Sequence, residues 1–256
     1  MSRSFPPTQP RSPLSIALHL FAFTSLCWSF KWLYQPGPMT EFMDKSYGGR
    51  WQFLTILSAS IDLSSSLPVN LIPSLAVSLL VFLFSLLYDL VPLPLFAQCK
   101  TSLAVLAVPV EGLVGLLYWG LTLYDPTLLN PNGAEFQLPF WVDVSIHGLP
   151  AVYLWLDFLL FSPPFPKRIR PNLLATTATA AYCVWMEVCA KRNGWYPYPM
   201  LNTMSPLPRL LFYLCQIPLL ISLYKLANGV HRLVRGETHE AVQAKGVRKV
   251  EGGKVN

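Results

Sequence analysis

Five stretches of this chain, at roughly 14–34, 101–123, 140–161, 173–190 and 207–226, are almost continuously apolar, with at most two Asp, Glu, Lys or Arg residues in each. A helix needs about 20 mostly apolar residues to cross a bilayer. A chain with five such runs is constrained to an all-α integral membrane fold, because only helices or closed barrels satisfy their backbone in lipid. Composition agrees. Charged residues make up 12% of the 256 residues and hydrophobic ones 53%, whereas soluble domains carry about 25% charged residues.

The stretch 51–96 is apolar almost throughout but interrupted by Pro68 and Pro73. It reads as one kinked span or as two. Counted as one, it gives about six transmembrane helices. With the N-terminus in the cytoplasm, thirteen Lys and Arg residues then fall on the cytoplasmic side and six on the other. The positive-inside rule therefore favours six spans with both termini cytoplasmic. The expected organisation is a cytoplasmic N-terminal segment 1–13, a transmembrane helical domain 14–226, and a flexible basic tail 227–256. Arg3 and Arg11 precede the first apolar run as in a signal peptide, but the run is long and lacks a small-residue cleavage site, so a retained helix is expected.

The net charge of +6 does not indicate nucleic acid, because the basic residues flank apolar runs. Cys27, Cys99, Cys183, Cys189 and Cys215 are odd in number and form no CxxC pair. They read as buried thiols rather than as a disulfide or zinc framework. The chain has no HExxH, no GxSxG and no glycine-rich loop before a lysine. Four histidines are too few for the clusters of membrane di-iron enzymes.

Ionisable side chains inside spans are costly to bury and mark functional or structural centres. Here they are His19, Asp62, Glu111, Asp143, His147, Asp157 and Glu187, with Asp89 near a span end. Asp143 precedes His147 by four residues, so both share a helical face. A carboxylate so placed orients an imidazole, as in a hydrolytic triad. The bland alternative is a histidine bonded to a neighbouring helix. Thr55 taken alone reads as a threonine bonding back to its own helix.

Two motifs add to this reading. Ser46–Thr55, SYGGRWQFLT, resembles the start of the second span in the androgen-induced and androgen-dependent family of membrane proteins. Phe140–Pro150, FWVDVSIHGLP, resembles that family's tryptophan-x-asparagine-x-x-x-histidine run. Tyr124-Asp125 and Trp195-Tyr196-Pro197 are similar to further family features. Two positions depart from the pattern: Asp143 stands where the family usually has asparagine, and Val144 where it has a further histidine. The region 74–98 is apolar here, whereas relatives carry a polar loop.

The resemblance implies a membrane-embedded threonine hydrolase acting on fatty acid esters of hydroxy fatty acids. Thr55 falls at its nucleophile and His147 at its base. Asp143 is then an orienting group, and Arg50 and Trp51 are candidates for oxyanion support. This chemistry calls for no metal and no cofactor. The expected partners are a lipid substrate from the bilayer and the membrane itself, with no nucleic acid. The expected location is an endomembrane, such as the endoplasmic reticulum, or the plasma membrane. The alternative is a non-enzymatic multi-pass protein, a transporter or scaffold.

Overall fold

The computed structural model describes residues 12–49, 58–59, 71–72, 74–129 and 138–235. Nine α-helices appear among them. α1 is Pro13–Leu33, α2 Pro38–Lys45, α3 Ser74–Leu90, α4 Pro94–Tyr124 and α5 Phe140–His147. α6 is Leu149–Leu160, α7 Pro171–Asn193, α8 Pro199–Thr203 and α9 Pro206–Val234. A two-residue strand pair, β1 Ser58–Ala59 with β2 Leu71–Ile72, is antiparallel and lies against α7 and α4.

The starts follow local chemistry. Proline stands at the first turn of α1, α4, α6, α7 and α9, where a missing N–H costs nothing. Ser12 caps α1 by accepting the Ser15 amide at 3.0 Å. α7 ends at Gly194, whose φ of 78° suits glycine.

Five segments are long and apolar enough to cross a membrane: α1, α4, α5 with α6, α7 and α9. α3 is a shorter apolar helix of 17 residues. At about 1.5 Å per residue it reaches roughly 26 Å, close to the hydrocarbon thickness. It packs between α1 and α4. Ala22 and Leu26 of α1 meet Val81 and Phe82 of α3, Val108 of α4, Leu154 and Phe158 of α6 and Ala227 of α9 in the main core. A second cluster joins Leu121 of α4 to Tyr182 and Met186 of α7, Met200 and Leu201 of α8 and Tyr213 of α9.

Three expected boundaries change. Within 51–96 a continuous helix is described only over 74–90. The chain then turns at Val91–Leu93 and α4 begins at Pro94, seven residues before the expected start. Apolarity alone hid this turn, because Pro92 and Pro94 lie in an otherwise apolar run. The span at 140–161 breaks into two helices at Gly148. The last helix runs to Val234, into the segment expected to be a flexible tail. Its end is held by the loop after α6: the His231 Nε2 lies 2.9 Å from the Ser162 carbonyl, and Arg235 donates to the Leu160 carbonyl.

Candidate active site

His147 is the last residue of α5, at a break within a membrane helix. Pro150 has no N–H to offer the carbonyl one turn earlier, so the helix cannot continue regularly. Gly148 bridges the break with φ −124° and ψ −57°. α4 fits closely against it. A Cβ added at Gly115 would lie 3.2 Å from the His147 carbonyl oxygen, and one at Gly148 would lie 3.5 Å from Trp119 Nε1. Two glycines thus let the backbone carrying His147 approach α4.

The imidazole is largely buried. Its Nε2 lies 3.6 Å from Asp143 Oδ1, one turn earlier on α5. That is ion-pair range rather than a hydrogen bond. His147 Nδ1 and Asp143 Oδ1 have no hydrogen-bond partner among the described residues. Tyr118 of α4 stacks on the imidazole, with ring centroids 3.6 Å apart and planes within 14°. The Tyr118 hydroxyl interacts with the Asp143 carboxylate and with Thr122. The arrangement is an imidazole with one edge toward a carboxylate and one nitrogen open. Phe140 and Trp141, both exposed, open α5; they suit the lipid–water interface. His147 lies six residues further along, roughly 9 Å deeper.

Of the residues singled out from sequence, Asp143 and His147 are thus brought together. Thr55, Arg50, Trp51 and Asp62 lie outside the described residues. The start of the Thr55 motif is described. Gly48 and Gly49 take φ of 83° and 50°, a left-handed turn that explains the glycine pair. Just before it, the Tyr47 amide donates to Asn193 Oδ1 at 2.8 Å and Asn193 Nδ2 donates back to the Tyr47 carbonyl at 3.0 Å. The Arg192 guanidinium sits 5.0 Å from the Tyr47 ring centroid. The segment leading toward Thr55 is therefore pinned to the end of α7.

The Trp195-Tyr196-Pro197 loop is fixed nearby. Tyr196 donates to Glu187 at 2.7 Å, and Arg209 Nε donates to the same carboxylate at 2.9 Å. Burial, with the hydrogen bond to Glu187, pushes the Tyr196 phenol up to about 12, so it stays a donor at neutral pH. Tyr118 was not apparent from sequence, because it is 29 residues from His147 on another helix.

A second polar centre lies at the other end of α4. His19 places Nδ1 2.6 Å from Asp89 Oδ2 and Nε2 2.7 Å from Asp157 Oδ1. Lys100 donates to Asp157 Oδ1 at 2.8 Å and Ser162 donates to Oδ2 at 2.9 Å. Lys100, expected among the loop charges, is instead buried in this network, and of the five cysteines expected to be buried, Cys27 and Cys215 are exposed and only Cys189 is fully buried. Midway, Ser78 donates to the buried Glu111 at 3.0 Å. Each of these groups has a polar partner, whereas His147 Nδ1 has none among the described residues.

Residues 17–232 match the family described as FAR-17a/AIG1-like protein. The chain belongs to this family. Among its relatives, a UPF0641 membrane protein of Schizosaccharomyces pombe is 33% identical over 218 residues, covering 85% of this chain and 90% of the relative. The human androgen-induced gene 1 protein is 22% identical over 230 residues, covering 84% and 87%. An androgen-dependent TFPI-regulating protein of Rattus norvegicus is 26% identical over 133 residues, covering 52% and 58%. No solved structure matches the chain. As a member of the FAR-17a/AIG1-like family with several apolar helices, the chain is an integral membrane protein.

Proposed function

We propose that this chain is a membrane-embedded hydrolase of lipid esters, with Thr55 as nucleophile and His147 as base. The observation that carries the reading is the state of His147: a largely buried imidazole whose Nδ1 has no hydrogen-bond partner among the described residues and whose Nε2 is turned toward a carboxylate. An open nitrogen alone does not mark a base, since the structural His231 also leaves Nδ1 without a partner among the described residues; at His147 it coincides with a facing carboxylate and a break in the helix. A base needs one unprotonated nitrogen facing the reacting group and a second nitrogen whose proton is held elsewhere.

In the proposed reaction the Thr55 hydroxyl oxygen attacks the ester carbonyl carbon and its proton passes to His147 Nδ1. The tetrahedral intermediate expels the alkoxide, which takes that proton and leaves as the free alcohol. The acyl group stays on Thr55. Water then attacks the acyl carbon and gives a proton to His147, and the Thr55 oxygen leaves with it, releasing the fatty acid. Arg50, Trp51 and backbone amides are the candidates for stabilising the oxyanion. Fatty acid esters of hydroxy fatty acids are the substrate class, on the motif resemblance. Their two acyl chains partition into the bilayer, which suits a site roughly 9 Å inside the interface.

A fluorophosphonate probe applied to membranes bearing the full chain tests the reading. Labelling of wild type that disappears in Thr55→Ala is expected. No labelling of intact wild type contradicts a reactive Thr55 and favours a transporter or scaffold.

A further inference from the structure

We infer that Tyr118 is a positioning residue for the His147 site, its ring fixing the imidazole plane and its hydroxyl holding the Asp143 carboxylate at the Nε2 edge. This rests on the hydrolase reading. Two geometric observations and one electrostatic coupling carry it. The Tyr118 and His147 rings are nearly parallel with centroids 3.6 Å apart, so the phenol blocks rotation of the imidazole out of its plane. The Tyr118 hydroxyl interacts with the Asp143 carboxylate, whose Oδ1 lies 3.6 Å from His147 Nε2. One turn before Tyr118, Gly115 leaves room for the His147 carbonyl.

The helix break gives this arrangement its purpose. His147 ends α5 and is followed by Gly148 and Pro150, so its own helix constrains it less than a mid-helix residue. Its Nδ1 has no hydrogen-bond partner among the described residues to set the ring orientation. A base misplaced by about 1 Å loses on the order of a hundredfold in rate. The adjacent helix α4 supplies the missing constraint, as the surroundings of a reacting group do in well-ordered sites. With the carboxylate held at Nε2, the ring keeps its proton there and presents Nδ1 as the acceptor. Tyr118 acts through His147 and Asp143 and takes no part in bond making.

The experiment is steady-state hydrolysis of a fatty acid ester of a hydroxy fatty acid by the purified full chain in lipid nanodiscs. Wild type, Tyr118→Phe, Tyr118→Leu, Asp143→Leu, Tyr118→Phe with Asp143→Leu, and His147→Ala are compared. Tyr118→Phe keeps the stack and loses the hydroxyl; its kcat should fall about five- to tenfold at unchanged KM, and Tyr118→Leu should fall about a hundredfold. Tyr118→Phe should cost nothing further in the Asp143→Leu background, because the hydroxyl acts through that carboxylate.

A merely space-filling tyrosine gives a different pattern. Full kcat in Tyr118→Phe, or single losses that multiply in the double variant, overturns the assignment. Both outcomes can be read even where Tyr118→Leu does not fold. Wild-type turnover by His147→Ala is a separate result and overturns the hydrolase reading itself.

Discussion

His19 and Asp157 lie 138 residues apart in sequence and 2.7 Å apart in space. Asp89 takes the other ring nitrogen of His19, and Lys100 shares the Asp157 oxygen. The start of α1, the end of α3, the start of α4 and the end of α6 are thereby tied at one end of the bundle. A ring with both nitrogens on carboxylates is satisfied when both carry protons. Two basic groups then balance two acidic ones away from water. Removing one partner of such a buried pair costs about 3–5 kcal/mol, because the other charge is left unpaired. His19→Ala and Asp157→Ala should each lower the unfolding midpoint of the detergent-solubilised protein. Their combination should cost clearly less than the sum. Additive losses would show that the two residues are energetically independent.

The same network bears on topology. If α3 also crosses, the tied helix ends alternate as an even number of crossings requires, six in all. Both termini should then be on one side, and the charge bias places that side in the cytoplasm. Accessibility tags at residues 2 and 250 should report the same compartment. Tags on opposite sides would exclude α3 as a crossing helix.

The glycines of α4 make a graded test of the fit around His147. A Cβ at Gly115 would press on the His147 carbonyl at 3.2 Å, whereas one at Gly120 meets nothing within 4 Å. Gly115→Ala should lower hydrolysis severalfold, since small displacements of a base are costly. Gly120→Ala should leave activity intact and stabilise the helix by up to about 1 kcal/mol. Equal activity in the two variants would show that the α4–α5 contact does not set the base.

Asp143 is tested by asparagine, the residue usual in the family motif that Phe140–Pro150 resembles. Asp143→Asn keeps a polar oxygen facing Nε2 and should retain much of the activity. Asp143→Leu removes it and should lose more. If both variants match wild type in kcat and KM, the carboxylate does not orient His147.

Much of the architecture was legible in the apolar runs, because a bilayer demands long helices with self-satisfied backbones. The pairing of Asp143 with His147 was also legible, since four residues bring two side chains onto one face. Tyr118 and the His19 network were not, because both join residues far apart in sequence. Lys100 looked like a loop charge until the turn at Val91–Leu93 placed it inside α4. The end of α9 looked like tail because Asn228, His231 and Arg232 are polar and Gly229 is a weak helix former. Its helical state depends on the tertiary tie between His231 and Ser162.

The central claim is that Thr55 and His147 form one catalytic unit, and the most direct test is a double-mutant comparison of ester hydrolysis. Wild type, Thr55→Ala, His147→Ala and the double variant are purified at matched folded yield and assayed on a fatty acid ester of a hydroxy fatty acid. Groups that act together are strongly non-additive. The account predicts nearly the same residual rate in all three variants, with part of the activity kept in Thr55→Ser. Single losses that multiply in the double variant, or normal hydrolysis by Thr55→Ala, would contradict it.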